Sequence, residues 1–277
     1  MPLRINNNIS SQLLQKTLGA SQSRLQKNFN RLASGLRISQ AADDAAGLGI
    51  SESLRAEMRG LQQASRNVHD GMSMVATAEG AMAETGSRLS RMRELAVQAS
   101  SGTYNANDRA AMQAEFSALQ TEVDRIANSS EFNGIQLGDG STPSVDVQVG
   151  AGNVAANDRM TVNLQDGRAA TLGVDAGSID LTSQANAQTA ISAIDNATAT
   201  VNTARAAYGA AENSLQSASR NLQSYSENLY AAESRIRDVD FAAEFADKTR
   251  NDVLGKAGVS LLAQANLNQA TALGLLK

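Results

Sequence analysis

One pattern constrains this chain more than any other. From residue 190 to residue 239, alternating steps of four and three land on Ala190, Ile194, Ala197, Val201, Ala204, Tyr208, Ala211, Leu215, Ala218, Leu222, Tyr225, Leu229, Ala232, Ile236 and Val239. The seam is apolar throughout and runs for about seven heptads, well past the three or four that mark a coiled coil. Leu215, Leu222, Leu229 and Ile236 form a row of large side chains, while Ala211, Ala218 and Ala232 form a row of small ones that lets a neighbouring helix approach closely. At about 1.5 Å per residue such a helix is about 75 Å long. That is too long for the inside of a round globule of 277 residues, so an antiparallel helical rod is expected.

The first half of the chain supplies partners. Leu54, Met58, Leu61, Val68, Met72, Val75, Met82 and Leu89 keep the same register, interrupted by Ser65, Glu79 and Gly86. A second stripe carries Met112, Phe116, Leu119, Val123 and Ile126. The Ser100-Ser101-Gly102-Thr103 link has turn composition, and Asn107 or Asp108 is the expected cap of the helix that follows. The two prolines, Pro2 and Pro143, leave both halves free of helix breakers.

Between the helices lies a different segment. Eight of the 21 glycines fall in 134–177, where the helical period gives way to alternation: Val145, Val147, Val149, then Met160, Val162, Leu164. Period-two patterns bounded by turn residues read as strands, so a β-rich piece is expected at about 138–185.

The two ends are amphipathic without a strong partner inside themselves. Leu18, Leu25 and Leu32 are spaced by seven, with Leu14, Phe29 and Leu36 beside them, and the far end carries Leu254, Leu261, Leu262, Leu267, Leu273, Leu275 and Leu276. Isolated helices gain most of their stability from packing. The ends are therefore expected to pair with each other and with other copies, and to stay mobile until something buries them. Residues 1–42 carry basic groups and no acid before Asp43, whereas 238–252 carries Asp238, Asp240, Glu244, Asp247 and Asp252. Such exposed opposite charges steer more than they stabilise, at about 0–1 kcal/mol per pair.

Composition removes most chemistry. There is no Cys and one His, so no thiol nucleophile, disulfide framework or multi-His zinc site is available. Aromatics are 3% of the chain while 48 positions are Ala, a composition for closely packed helices. A net charge of −4 argues against nucleic acid as a partner. No apolar run is long enough for membrane insertion, and the first 30 residues lack the apolar core of a signal peptide. The Gly150–Ala155 stretch matches G-x-G-x-x-A, but strand-like alternation follows where a dinucleotide site needs a helix. His69 and Asp70 are adjacent on a helix and do not face each other. No catalytic residue, metal or cofactor is expected.

Several longer motifs, in order, resemble bacterial flagellin: NFNRLASGLRI at 28–38, QAADDAAGLGI at 40–50, GLQQASRN at 60–67, DGMSMV at 70–75, LSRMRELAVQ at 89–98, AESRIRDVDF at 232–241, GVSLLAQAN at 258–266 and the final LLK. The resemblance spans about 1–137 and 185–277. It implies a short form without variable outer domains. Residues 1–42 and 238–277 would form a paired inner core of the filament, and 43–237 a rod domain. Leu14, Leu18, Leu25, Leu32, Leu36, Leu254, Leu261, Leu262 and Leu275 are the expected assembly residues.

Further implications follow from the same resemblance. The chain is expected to polymerise with itself, possibly alongside other flagellins, outside the cell as part of the flagellum. Export would be through the flagellar type III secretion channel without a cleaved signal. The partners would be an export chaperone at the C-terminal helix, the filament cap and the hook-associated proteins. By position, Arg91, Glu94, Leu95 and Glu115 match the surface read by the flagellin-sensing Toll-like receptor, with Leu95 expected to enter an apolar pocket. The alternative within the same resemblance is a hook–filament junction protein, a minor adaptor rather than a bulk polymer.

Overall fold

The heptad seam dictates the longest elements. The computed structural model describes residues 7–274, the side chains of residues 269, 270 and 272–274 excepted. Among the described residues seven helices and four short strands follow one another: α1 (Ile9–Ser34), α2 (Ala45–Ala99), α3 (Ala106–Ser129), β1 (Glu131–Phe132), β2 (Ile135–Gln136), β3 (Ser144–Gln148), α4 (Ala155–Asp158), β4 (Arg159–Asn163), α5 (Ala169–Leu172), α6 (Gln184–Arg237) and α7 (Phe241–Gly274). The fold is mainly α with long antiparallel helices and two antiparallel hairpins. The chain divides into two units: Met1–Ala56 with Asn228–Lys277, and Glu57–Glu227.

In the second unit the predicted seams meet. Ile194, Ala197, Val201, Tyr208, Leu215 and Leu222 of α6 are buried, as are Met58, Leu61, Val68, Val75, Met82 and Leu89 of α2. Phe116 and Val123 of α3 are fully enclosed. Polar pairs match the antiparallel register of α2 and α6. Arg93 meets Asp195 at 2.7 Å, Arg205 meets Glu79 at 2.8 Å, and the Tyr225 hydroxyl donates to Glu57 at 2.6 Å. Tyr225 departs from the expected seam for that reason: its ring is 44% exposed while its hydroxyl reaches across to α2. Gly71 lets the second hairpin lie against α2, since a Cβ there would sit 3.1 Å from both γ-methyls of Val147.

The cap of α3 is Asn105, not Asn107 or Asp108. Its side chain accepts from the Asn107 and Asp108 N–H groups, and Asp108 answers by accepting from the Asn105 N–H at 3.1 Å. This is a capping box, which satisfies donors that the first helical turn leaves free.

The alternation around Val145 and Met160 forms β3–β4, with Val145 opposite Val162 and Val147 opposite Met160. A smaller hairpin, β1–β2, precedes it and turns on Asn133 (φ 49°) and Gly134 (φ 79°). Two consecutive left-handed residues make the turn that suits a two-residue hairpin, and Asn-Gly is its preferred sequence.

In the first unit α1 ends at Ser34, and Gly35 takes a left-handed conformation (φ 72°) while its N–H reaches the Arg31 carbonyl at 2.8 Å. That glycine closes the helix as a C′ residue. Leu36 therefore lies off α1, bridged antiparallel to Asp238, with Arg37 N–H donating to the Arg237 carbonyl at 2.7 Å. Among the described residues no helix is long and apolar enough to cross a membrane.

Candidate assembly site

The two terminal helices pack antiparallel within the first unit. The face that α1 turns to α7 runs Ser11, Leu14, Leu18, Ser21, Leu25, Asn28, Leu32, in steps of three and four, all buried or half-buried. The answering face of α7 is Glu244, Lys248, Asn251, Gly255, Gly258, Leu262, Ala265, also in heptad steps and also buried or half-buried. Hydrogen bonds cross the seam along its length. Asn8 Nδ2 donates to the Ala265 carbonyl at 3.2 Å, and the Ser21 hydroxyl donates to the Asn251 carbonyl at 3.1 Å. Asn251 Nδ2 donates to Asn28 Oδ1 at 3.1 Å, and Asn28 Nδ2 donates to Glu244 Oε1 at 2.6 Å. Arg31 lies 3.8 Å from the other Glu244 oxygen.

This pair is unusual in what it leaves outside. Ile9, Leu13 and Phe29 on α1 are exposed, as are Phe241, Phe245, Val253, Leu254, Val259, Leu261 and Leu267 on α7. Leu254 and Leu261, expected from sequence to serve assembly, are 52% and 56% exposed on the outer face. They border a groove shared with Leu13, Leu14 and Leu18. Lys248 sits 5.0 Å from the Phe29 ring centre, a cation–π contact that keeps its charge at the rim. Leu262 is on the seam, and Leu275 lies outside the described residues. The exposed Leu13, Leu254 and Leu261 that border this groove mark an interaction surface.

The second candidate surface lies where α2 faces α3. Arg91 donates to Glu94 at 2.8 Å and to Glu115 at 2.9 Å, so its guanidinium is engaged within the chain and its pKa is raised by both carboxylates, Glu94 first. Leu95 does not present itself to a partner. It is 3% exposed, buried like Met92 and Ala96 on the same helix, which corrects the expectation that it fills a receptor pocket. The apolar side chain on this surface is Val97, 47% exposed, which lines a shallow depression with Ser90, Arg93, Glu94 and Gln98.

Among the described residues no group of His, Asp and Glu is placed to hold a metal. The glycine-rich Gly150–Val154 loop is filled from within: Asp158 accepts from the Gly152 N–H at 3.3 Å and the Val154 N–H at 2.9 Å. A carboxylate of the chain itself holds the place that a phosphate would need.

Comparison with known proteins agrees with this architecture. The family described as the bacterial flagellin N-terminal helical region matches residues 5–142, and the bacterial flagellin C-terminal helical region matches 191–276. The flagellin of Halalkalibacterium halodurans is 43% identical over 275 residues, 99% of both chains. The flagellar filament 33 kDa core protein of Treponema phagedenis is 40% identical over 99% of both chains. Flagellin of Bacillus subtilis is 41% identical, covering 99% of this chain and all of that one. Among solved structures, Bacillus cereus flagellin superposes with a TM-score of 0.50 at 34% identity, over 61% of this chain and 94% of that one. A putative flagellar hook-associated protein from Vibrio parahaemolyticus shares the fold, with a TM-score of 0.59 at 16% identity over 71% of this chain and 100% of its own. Two family regions in order and full-length relatives at about 40% identity leave one conclusion: this chain belongs to the bacterial flagellin family.

Proposed function

We propose that the α1–α7 pair is the element through which this flagellin builds its polymer. As a flagellin the chain is a structural subunit of the extracellular flagellar filament, self-associating for motility and carrying out no catalysis. The observation that carries the finer reading is the outward apolar face of Leu13, Leu254 and Leu261. Burying each large side chain against a neighbouring copy contributes about 1.5–3 kcal/mol. Contacts of one patch with a different patch on the next copy do not close, and so propagate a helical polymer. In this reading Leu14, Leu18, Leu25, Leu32 and Leu262 hold the pair, Leu254 and Leu261 contact neighbours, and Leu36 fixes the junction with Asp238. Residues 1–42 and 238–277 act together as the filament core, with 43–237 outside it.

Deleting residues 258–277 tests this. The truncated chain should stay soluble and helical and should form no filaments when seeded. Filaments in electron micrographs of the truncated chain would overturn it.

The same exposed face on α7 supports handling by an export chaperone before passage through the flagellar type III channel, and contact with cap and hook-associated proteins at the polymer ends. Arg91, Glu94 and Glu115, with Val97 beside them and Leu95 supporting the helix from beneath, form the surface we assign to the flagellin-sensing Toll-like receptor. This surface serves subunit packing in the polymer, so the monomer should activate a receptor reporter and the intact filament should not. Equal responses to both would sink the assignment.

A further inference from the structure

The turn of the β1–β2 hairpin belongs neither to the helical core nor to the assembly face. It is Asn133-Gly134, the only Asn-Gly pair in the chain. We infer that Asn133 is a site of spontaneous covalent modification: its side-chain amide is lost through a cyclic imide, leaving aspartate or isoaspartate at the turn. The step needs water alone, and it stands apart from how the chain polymerises.

The chemistry is an intramolecular displacement. The Gly134 nitrogen gives up its proton and attacks the side-chain carbonyl carbon of Asn133. A bond forms between that nitrogen and Cγ, the Cγ–Nδ2 bond breaks, and ammonia leaves with the proton. One water then opens the five-membered ring. Opening at Cγ gives aspartate. Opening at the backbone carbonyl carbon gives isoaspartate, in which the main chain runs through Cβ and Cγ. One water enters, one ammonia leaves, and nothing is oxidised or reduced. Nucleophile and carbonyl lie in one dipeptide, so the attack carries no cost of bringing them together from solution.

The structure singles out this asparagine. Asn133 and Gly134 are both exposed, so water reaches the ring. The space where a side chain on Gly134 would stand is open, with no atom within 4 Å to hinder closure. Among the described residues neither the Asn133 side-chain amide nor the Gly134 N–H has a hydrogen-bond partner. Asn153, Asn163 and Asn105 also lie at loops or element ends, and each is held. Asn153 accepts from Arg159 at 2.9 Å, and the amide after it, Val154 N–H, donates to Asp158 at 2.9 Å. The amide after Asn163, Leu164 N–H, donates to the Pro143 carbonyl at 2.9 Å. Asn105 is occupied in capping α3. Past the first turn of a helix, the amide that follows an asparagine is committed to the carbonyl four residues back.

Ring closure requires the dipeptide to leave its left-handed turn. Only the pairs Glu131–Gln136 and Phe132–Ile135 hold the hairpin together, and so short a hairpin resists that excursion weakly. Conversion places a carboxylate two residues from Glu131, and isoaspartate lengthens a turn whose geometry suits two ordinary residues. Aged copies of the chain therefore differ from new ones at this hairpin.

Full-length protein incubated at mildly alkaline pH, folded and in parallel in urea, tests this. Peptide mass spectrometry follows each asparagine, and an isoaspartyl methyltransferase labels the rearranged product. In the folded protein Asn133 should convert at least about tenfold faster than Asn153 or Asn163. Tenfold corresponds to about 1.4 kcal/mol of barrier, the order of the one backbone hydrogen bond that those two sites must open first. Urea should speed Asn153 and Asn163 more than Asn133, because it frees amides that Asn133 does not need freed. Asn133→Gln, which would have to close a larger ring, should remove most of the methyl label and leave helicity unchanged. If folded Asn133 converts no faster than Asn153 and Asn163, or if urea speeds it more than them, the turn protects the amide and the assignment is wrong. A methyl label undiminished in Asn133→Gln would place the isoaspartate elsewhere and overturn it equally.

Discussion

The hydroxyl of Tyr208 accepts a hydrogen bond from the backbone N–H of Gln165 at 2.9 Å. Tyr208 is the largest fully buried side chain of the α6 seam, 1% exposed, and Gln165 lies just beyond the end of β4. One residue of the heptad thus supplies both apolar area and the partner for a loop amide.

Removing that oxygen leaves the half-buried Gln165 N–H without its partner, and an orphaned donor costs about 1–3 kcal/mol where water does not reach it. Tyr208→Phe is therefore expected to lower the urea midpoint of the full-length protein by that order without changing its helicity. A second readout separates this from loss of packing. Burial raises the Tyr208 phenol above its ordinary 10.0, with the Gln165 hydrogen bond opposing. The raised group contributes stability that is complete below pH 10.0 and is lost as pH climbs toward the folded-state value, because the unfolded chain releases its proton first. The phenylalanine variant should show a shallower loss of stability above pH 10.0 than the parent.

At Asn105 the prediction is about a helix start. Asn105→Ala removes the side-chain oxygen that accepts from Asn107 and Asp108, and should cost about 1 kcal/mol, whereas Asn105→Ser should restore most of it. Hydrogen exchange at the first turn of α3 is the local measurement: protection of the Asn107 and Asp108 amides should fall in the alanine variant and persist in the serine variant.

How much of this was legible from sequence depended on where apolar residues mark the contact. The α6 seam was read almost residue for residue, because Ile194, Val201, Leu215 and Leu222 meet the equally apolar seam of α2. The β3–β4 alternation was legible for the same reason. The β1–β2 hairpin is not legible despite the strong turn signal of Asn133-Gly134, since strands of two residues carry too little pattern to be seen. Leu95 is legible as core from its spacing of three behind the buried Met92. On α7 hydrophobicity points to the outer face. Leu254 and Leu261 are the conspicuous residues, yet the intramolecular seam is Glu244, Asn251, Gly255 and Gly258. A seam of polar and small residues is invisible to an apolar pattern and appears only when both helices are seen together.

Asp166 offers a test at the acid end. Its carboxylate accepts from the Arg168 guanidinium at 2.7 Å, the Arg168 N–H at 3.0 Å and the Thr171 hydroxyl at 2.6 Å. The Arg168 side chain is the main reason that its pKa falls from 3.8 to about 2. A lowered carboxylate contributes stability above its unfolded value and loses it as pH falls through the folded one. Asp166→Asn should therefore cost about 1 kcal/mol near neutral pH, allowing for the water that screens the pair. The parent should lose this advantage between pH 3.8 and about 2. Urea midpoints of the two proteins measured across that interval should converge. A constant gap would place the effect in packing rather than charge.

The outer face of α7 carries the last prediction, because there stability and assembly separate. Leu254 and Leu261 are more than half exposed and make no seam contact that the fold needs. Surface substitutions away from caps and cores change stability within about 0.5 kcal/mol. Leu254→Lys with Leu261→Lys should therefore leave thermal unfolding of the soluble chain nearly unchanged. In a polymer the same two positions would bury charge against an apolar neighbour, and the buried area that offsets the ordering of the ends would be lost at each subunit. Removing two large apolar contacts of about 1.5–3 kcal/mol each is enough to raise the critical concentration for seeded polymerisation by at least about a hundredfold. Sedimentation of filaments over a dilution series measures this directly. Leu18→Lys, which strikes the seam instead, should impair both pairing and assembly. If the outer-face variant polymerises at the parent's critical concentration, Leu254 and Leu261 face solvent in the filament and the assembly surface lies elsewhere on the pair.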